Sequence, residues 1–147
     1  MDLSTFYFGV SQTQLADANQ ANGMKFEALL AWIHLSQYTI IFFGIMLLYS
    51  IGMAIYYYTE YNKQPGRHYT PKQWGYGGIA SLVIVFILTF IIAFAIQKPG
   101  TIEGLLMLEL KLAFVNTLYA AGGYLVVSFI WCNVPQLPTN AYRFLKI

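Results

Sequence analysis

The sequence predicts an all-α integral membrane protein with about three transmembrane helices, a long first helix, and a basic Pro/Gly-rich loop between the first two. Two observations carry that prediction. Of 147 residues, 58% are hydrophobic, 18% aromatic and only 10% charged, against about 25% charged in ordinary soluble domains. The stretch from Ile79 to Ile96 holds no ionisable side chain at all, which is the composition that a hydrocarbon solvent selects.

The chain opens with a polar tail, residues 1–23, rich in Gln, Asn, Ser and Thr; so little apolar surface leaves it dependent on neighbours for order. Its apolar piece, Phe6 to Val10, is too short for the core of a signal peptide, so nothing here reads as cleavable. A single helical membrane domain is expected over 24–134, followed by a short C-terminal tail, 135–147. The first helix runs from about Lys25 to Tyr58, roughly 50 Å at 1.5 Å per residue, which exceeds the roughly 30 Å hydrocarbon layer. Its ends therefore leave the bilayer core. Glu27, His34, Ser36 and Gln37 fall at one interface, and Tyr56, Tyr57, Tyr58 and Tyr61 form an aromatic belt at the other.

Thr59 to Gly78 reads as a loop. It contains Lys63, Pro65, Gly66, Arg67, His68, Pro71, Lys72, Gly75, Gly77 and Gly78, combining turn formers with a cluster of cationic charge. The second span, 79–97, has the length a bilayer requires. Pro99 and Gly100 make the next turn, Thr101 is the expected N-cap, and Glu103 suits the positive end of a third helix over 102–132. Pro135 and Pro138 stop it. Five basic residues, Lys63, Arg67, Lys72, Arg143 and Lys146, then lie on one side, against Lys25, Lys98 and Lys111 on the other. The positive-inside rule accordingly places the helix 1–2 loop inside and the N-terminus outside.

The polar residues exclude several classes of chemistry. A net charge of +2 gives no basic surface for gripping nucleic acid. Cys132, alone, supports neither a disulfide framework nor a cysteine metal site and reads as a small apolar helix residue. No phosphate loop, paired carboxylates, or nucleophile with a base is present, so the chain is not expected to be an enzyme, and no metal or cofactor is expected. His34 and Glu109 are the candidate pigment or ion contacts, since imidazole is an axial ligand and an intramembrane acid is a functional suspect. The stronger reading makes His34 an interfacial residue near Gln37. Glu109, within about two turns of its helix start, is read as an interfacial or intersubunit pairing group.

Small residues recur at helix-face spacing: Gly44, Ser50, Gly52 and Ala54; Thr89 and Ala93; Ala113, Thr117, Ala120 and Ala121. Such stripes let helix backbones approach closely where lipid removes the hydrophobic drive. Three helices, one over-long, leave unmatched surface for partners.

The layout of an apolar helix ending at Tyr58, a loop with Lys63, Pro65, Gly66, Arg67, His68, Thr70, Pro71 and Lys72, then Gly75, Gly77 and Gly78 opening a second apolar helix, resembles conjugative pilins. It also resembles small membrane proteins of type IV secretion systems, particularly the Dot/Icm-like branch, over about residues 28–97. The resemblance implies a bacterial inner-membrane or extracellular pilus subunit, self-associating and packed with phospholipid. Lys63, Arg67, His68 and Lys72 would then face the lumen or cytoplasm, near lipid headgroups or transiently passing DNA, with no sequence-specific nucleic-acid readout. The third apolar helix and the polar tail exceed the two-helix pilin plan. Two other readings stay open: an accessory subunit of a respiratory or photosynthetic membrane complex, and an ion channel or transporter subunit using Glu109.

Overall fold

The computed structural model describes residues 3–61, 71–97, 100, 102–137, 143 and 145–147. Six helices follow one another: α1 (Leu3–Phe6), α2 (Gln12–Ala18), α3 (Lys25–Gln37), α4 (Thr39–Thr59), α5 (Pro71–Ile96) and α6 (Leu105–Asn133). There is no strand among the described residues. The protein is all-α, and α4, α5 and α6 are each long and apolar enough to cross a membrane.

Burial within these three helices is inverted relative to a water-soluble bundle. On α4 the buried positions are Thr39, Phe42, Met46, Ser50, Ala54, Tyr57 and Tyr58; on α5 they include Ser81, Val85, Thr89 and Ala93. On α6, Leu105, Glu109, Leu112, Ala113, Asn116, Ala120, Tyr124, Ser128 and Cys132 are covered. These recur at intervals of three and four residues, the spacing of one helix face. Many are small or polar. The outward positions are large and apolar: Ile40 and Leu48 are each 69% exposed, Val126 59% and Ile91 55%. Exposed apolar surface on this scale is unfavourable in water and ordinary against lipid, so the three helices belong in a membrane.

Three element boundaries differ from those read in the sequence, each for a local reason. The first long helix is divided at Tyr38. The Tyr38 N–H bonds to Leu35 O at 3.1 Å, a tightened last turn, and the Thr39 hydroxyl donates to Ser36 O at 2.8 Å. A side chain competing for a helix carbonyl in this way bends or interrupts the helix. The second span begins at Pro71, since proline fits the first helical turn, where no backbone N–H is required. Gly75, Gly77 and Gly78 are consequently helical. The third begins at Leu105: Gly104, at φ +77°, turns the chain into the helix, and its carbonyl accepts from Leu108 N at 3.0 Å. The expected cap Thr101 lies outside the described residues.

The chain forms two compact units. One comprises Met1–Ile45 and Phe86–Asn116, the other Met46–Val85 and Thr117–Ile147. In the first, residues 3–23, read from sequence as a polar tail, carry α1 and α2 and bury Leu3, Tyr7, Val10, Leu15, Ala16 and Asn19. Those few apolar side chains suffice because they dock on a face already present. Phe6 meets Phe43 with ring centres 6.2 Å apart. In the second unit, Tyr57, Tyr58 and Cys132 form a cluster with Tyr61, Trp74, Trp131 and Leu145 around it. Met46, Val85 and Ala120 form another.

The residues after α6 are fastened to its end. Asn133 Nδ2 donates to Phe129 O at 2.9 Å and to Leu145 O at 3.0 Å, while its Oδ1 accepts from Ile147 N at 3.0 Å. Arg143 donates to Val134 O at 3.2 Å and Leu137 O at 2.8 Å, supplying cationic donors to carbonyls just beyond a helix C-terminus.

Candidate functional site

The polar groups of the first unit converge on Asn116. Its Nδ2 donates to Phe42 O at 2.9 Å and to Thr89 Oγ1 at 2.8 Å, and its Oδ1 accepts from the Tyr7 hydroxyl at 3.2 Å. One carboxamide thus joins α4, α5, α6 and the residue following α1. Asn supplies two donors and an acceptor on a short stem, and Tyr7, Thr89 and Asn116 are all fully buried. A second carboxamide, Asn19, works the same way near the start of α6. It donates to Leu15 O at 2.8 Å and Glu103 O at 2.9 Å and accepts from Glu103 N at 2.8 Å. Asn22 adds a bond to Glu103 Oε1 at 3.0 Å.

Glu109 sits on the same α6 face as Asn116, two turns earlier. It is fully buried, and neither carboxylate oxygen has a hydrogen-bond partner. Its neighbours one turn away on that face, Leu105, Leu112 and Ala113, are fully covered, whereas Lys111 is exposed.

In the second unit the polar contacts are aromatic. Trp74 Nε1 donates to Ser128 Oγ at 2.9 Å, and the Tyr124 hydroxyl donates to Trp74 O at 2.9 Å. The Tyr58 hydroxyl and Cys132 Sγ are 3.5 Å apart, and Tyr58 stacks on Trp131 with centroids 6.0 Å apart. Cys132 is a free, buried thiol. Gly78 matters here, because a Cβ at that position would stand 3.0 Å from Tyr124 Cε1. Likewise a Cβ on Gly123 would stand 2.9 Å from Ser50 Oγ.

The small-residue stripe separates into two groups. Ser50, Ala54, Thr89, Ala93, Ala113 and Ala120 are buried, and Thr117 and Ala121 are half-buried. Gly44 and Gly52 instead lie on the exposed side of α4, where an added Cβ would meet nothing within 4 Å. Helical periodicity groups small residues by spacing, but i to i+8 along one helix does not say which side faces inward.

His34 is exposed and lines two grooves, one with Gln37, Tyr38, Ile91, Ile92, Ala95 and Ile96 and one that includes Glu27, Leu30 and Gln97. The other histidine, His68, lies outside the described residues, as do Lys63 and Arg67. Lys72 is exposed in the first turn of α5. Among the described residues no three His, Cys, Asp or Glu side chains gather as a metal site. Asn116 and Asn19 were not singled out in the sequence. A lone Asn within an otherwise apolar span was the available signal for the first, because such a side chain needs partners from neighbouring helices.

The fold and these contacts define the class: an all-α protein with three membrane-competent helices that bury small and polar side chains among apolar ones and turn large apolar side chains outward. No family model, curated protein or solved structure matches the chain.

Proposed function

We propose that the chain is a structural, self-associating subunit of a membrane assembly, of the pilin-like or type IV secretion kind, packed with phospholipid. The observation that carries this reading is the inverted burial of α4, α5 and α6. Asn116 pairs inward with Thr89 and Phe42 O, and Ser128 with Trp74, whereas Ile40, Leu48, Ile91 and Val126 face outward. Hydrogen bonds of this kind hold a shape and turn over no substrate. The exposed pair Gly44 and Gly52, flanking Leu48 on one face of α4, supports self-association, because a glycine on either side of a large side chain leaves hollows that a second helix can fill. In this reading the chain resides in a bacterial inner membrane or a pilus, with its N-terminus outside and the α4–α5 connection inside. The basic residues Lys63, Arg67, His68 and Lys72 then face headgroups or a lumen.

The test is extraction of the chain with its surrounding lipid into polymer nanodiscs, followed by electron microscopy and particle-mass measurement. Rings or filaments built of this one chain are expected, and the double variant Gly44→Leu, Gly52→Leu should dissociate them while retaining wild-type helicity by circular dichroism. Particles holding one copy, or one copy within an assembly of other proteins, would refute self-association.

A further inference from the structure

We propose that Glu109 is a proton-binding site, its carboxyl held as the uncharged acid inside the first unit by a proton that exchanges with solvent. The inference is independent of the self-association argued above.

It begins with what surrounds the carboxyl. Glu109 has no exposed surface, and Oε1 and Oε2 both lack a hydrogen-bond partner. A bare carboxylate removed from water is unfavourable by several kcal/mol even after relaxation, so something must supply the missing positive charge. The candidates within the unit can be examined one by one. Asp17, Lys25, Glu27, His34, Glu103 and Lys111 are the other described charged or imidazole side chains there, and every one is exposed. Lys25 is spent on Gln20 Oε1 at 3.4 Å. Lys111 is two residues along the same helix, hence on a different face.

Neutral donors are committed as well. Tyr7 gives its proton to Asn116, and Asn116 gives both of its own to Phe42 and Thr89. Asn19 is similarly saturated by Leu15 and Glu103. One more buried polar atom in the unit lacks a partner, the Ser36 hydroxyl oxygen. A hydroxyl and a carboxylic acid are both uncharged groups, and a metal cation would need several oxygen ligands that this arrangement does not offer. A proton is the one counter-charge that needs no ligand shell.

The geometry also says what an acid adds at this place. The remaining buried positions on that α6 face are filled by residues that pack or hydrogen-bond, and Leu or Gln would serve for either. A carboxyl adds only the ability to gain and lose a proton where water does not reach directly.

The experiment is infrared difference spectroscopy of the full chain in lipid nanodiscs, in neutral buffer made with H2O and with D2O. A carboxylic-acid carbonyl band that shifts in D2O and disappears in Glu109→Gln, with helicity unchanged, is the expected result. Absence of such a band in the wild type, or its persistence in Glu109→Gln, overturns the proposal. Should Glu109→Gln fail to fold, mapping of a hydrophobic carbodiimide on the wild-type chain decides. The acid O–H adds across the reagent's C=N bond, its proton passing to nitrogen, so only the protonated carboxyl is captured. One adduct on Glu109, unaffected by added Na+ or K+, supports the proposal. No adduct, or one that either ion prevents, overturns it.

Discussion

Replacing Asn116 with Ala should unfasten the first unit more than any other single polar substitution. The side chain makes three hydrogen bonds, at 2.8, 2.9 and 3.2 Å, to α5, α4 and Tyr7. Side-chain bonds between membrane helices contribute about 0.6 kcal/mol on average and up to about 1.7, so three contribute about 2–5 kcal/mol. The Tyr7 hydroxyl, fully buried, would also lose its acceptor, whereas Phe42 O sits within α4 and Thr89 is close to its own helix carbonyls. A loss of about 3 kcal/mol is the central expectation, which is about a hundredfold in the unfolding equilibrium. Titration of the folded chain in mixed micelles with a denaturing detergent, followed by circular dichroism, measures it. Tyr7→Phe should cost about 1 kcal/mol or less, and combining it with Asn116→Ala should cost less than the sum, because the two share a bond. Strict additivity, or a stability change at Asn116 below about 0.5 kcal/mol, would refute the claim that this carboxamide joins the unit.

Asn19→Ala should release the segment holding α2 from Glu103, with which Asn19 shares two bonds, and amide exchange over residues 3–23 should accelerate while exchange within the three long helices stays slow. Two glycine substitutions should differ in sign. Gly78→Ala sets a Cβ 3.0 Å from a Tyr124 ring that is pinned to Trp74, and overpacking of about 1–3 kcal/mol outweighs a helix-propensity gain of about 1 kcal/mol. Gly44→Ala enters open space and should stabilise the monomer in micelles by up to about 1 kcal/mol; equal effects at both sites would contradict the assigned faces. Leu48→Arg, at a position 69% exposed, should reduce membrane insertion by about 3 kcal/mol per the cost of Arg at a span centre, and unimpaired insertion would show that α4 does not cross the hydrocarbon layer.

The three spans were legible because hydropathy integrates over about 20 residues and tolerates local error. The limits of the helices were less so. Pro71 was read as a loop residue with its Gly neighbours, though proline is equally at home opening a helix. The division at Tyr38 depends on one hydroxyl finding one carbonyl, a choice invisible to periodicity. Residues 3–23 were read as lacking their own core, which is true of them alone. Their burial rests on Tyr7 and Asn19 reaching partners 109 and 84 positions away, a pairing no local pattern encodes. Glu109 was recognised as a residue to watch, but its burial depends on which α6 face packs inward, and distance from the helix start does not reveal that. The candidate basic loop keeps only Lys72 among the described residues.

The hydrogen bond between Tyr7 and Asn116 has a consequence for biogenesis. Tyr7 leaves the ribosome early, and its acceptor follows 109 residues later, a delay on the order of 5–20 s at ordinary translation rates. During that interval α4 and α5 are made and can enter the bilayer, while α1 and α2 have no finished surface on which to settle. The segment carrying α1 and α2 is therefore the last to find its place although it is synthesised before its partners, and in that interval it is exposed to chaperones and proteases. Destabilising Asn116 would lengthen that exposure, so such variants should be lost from the cell by clipping near the N-terminus before any change in the three spans is detectable.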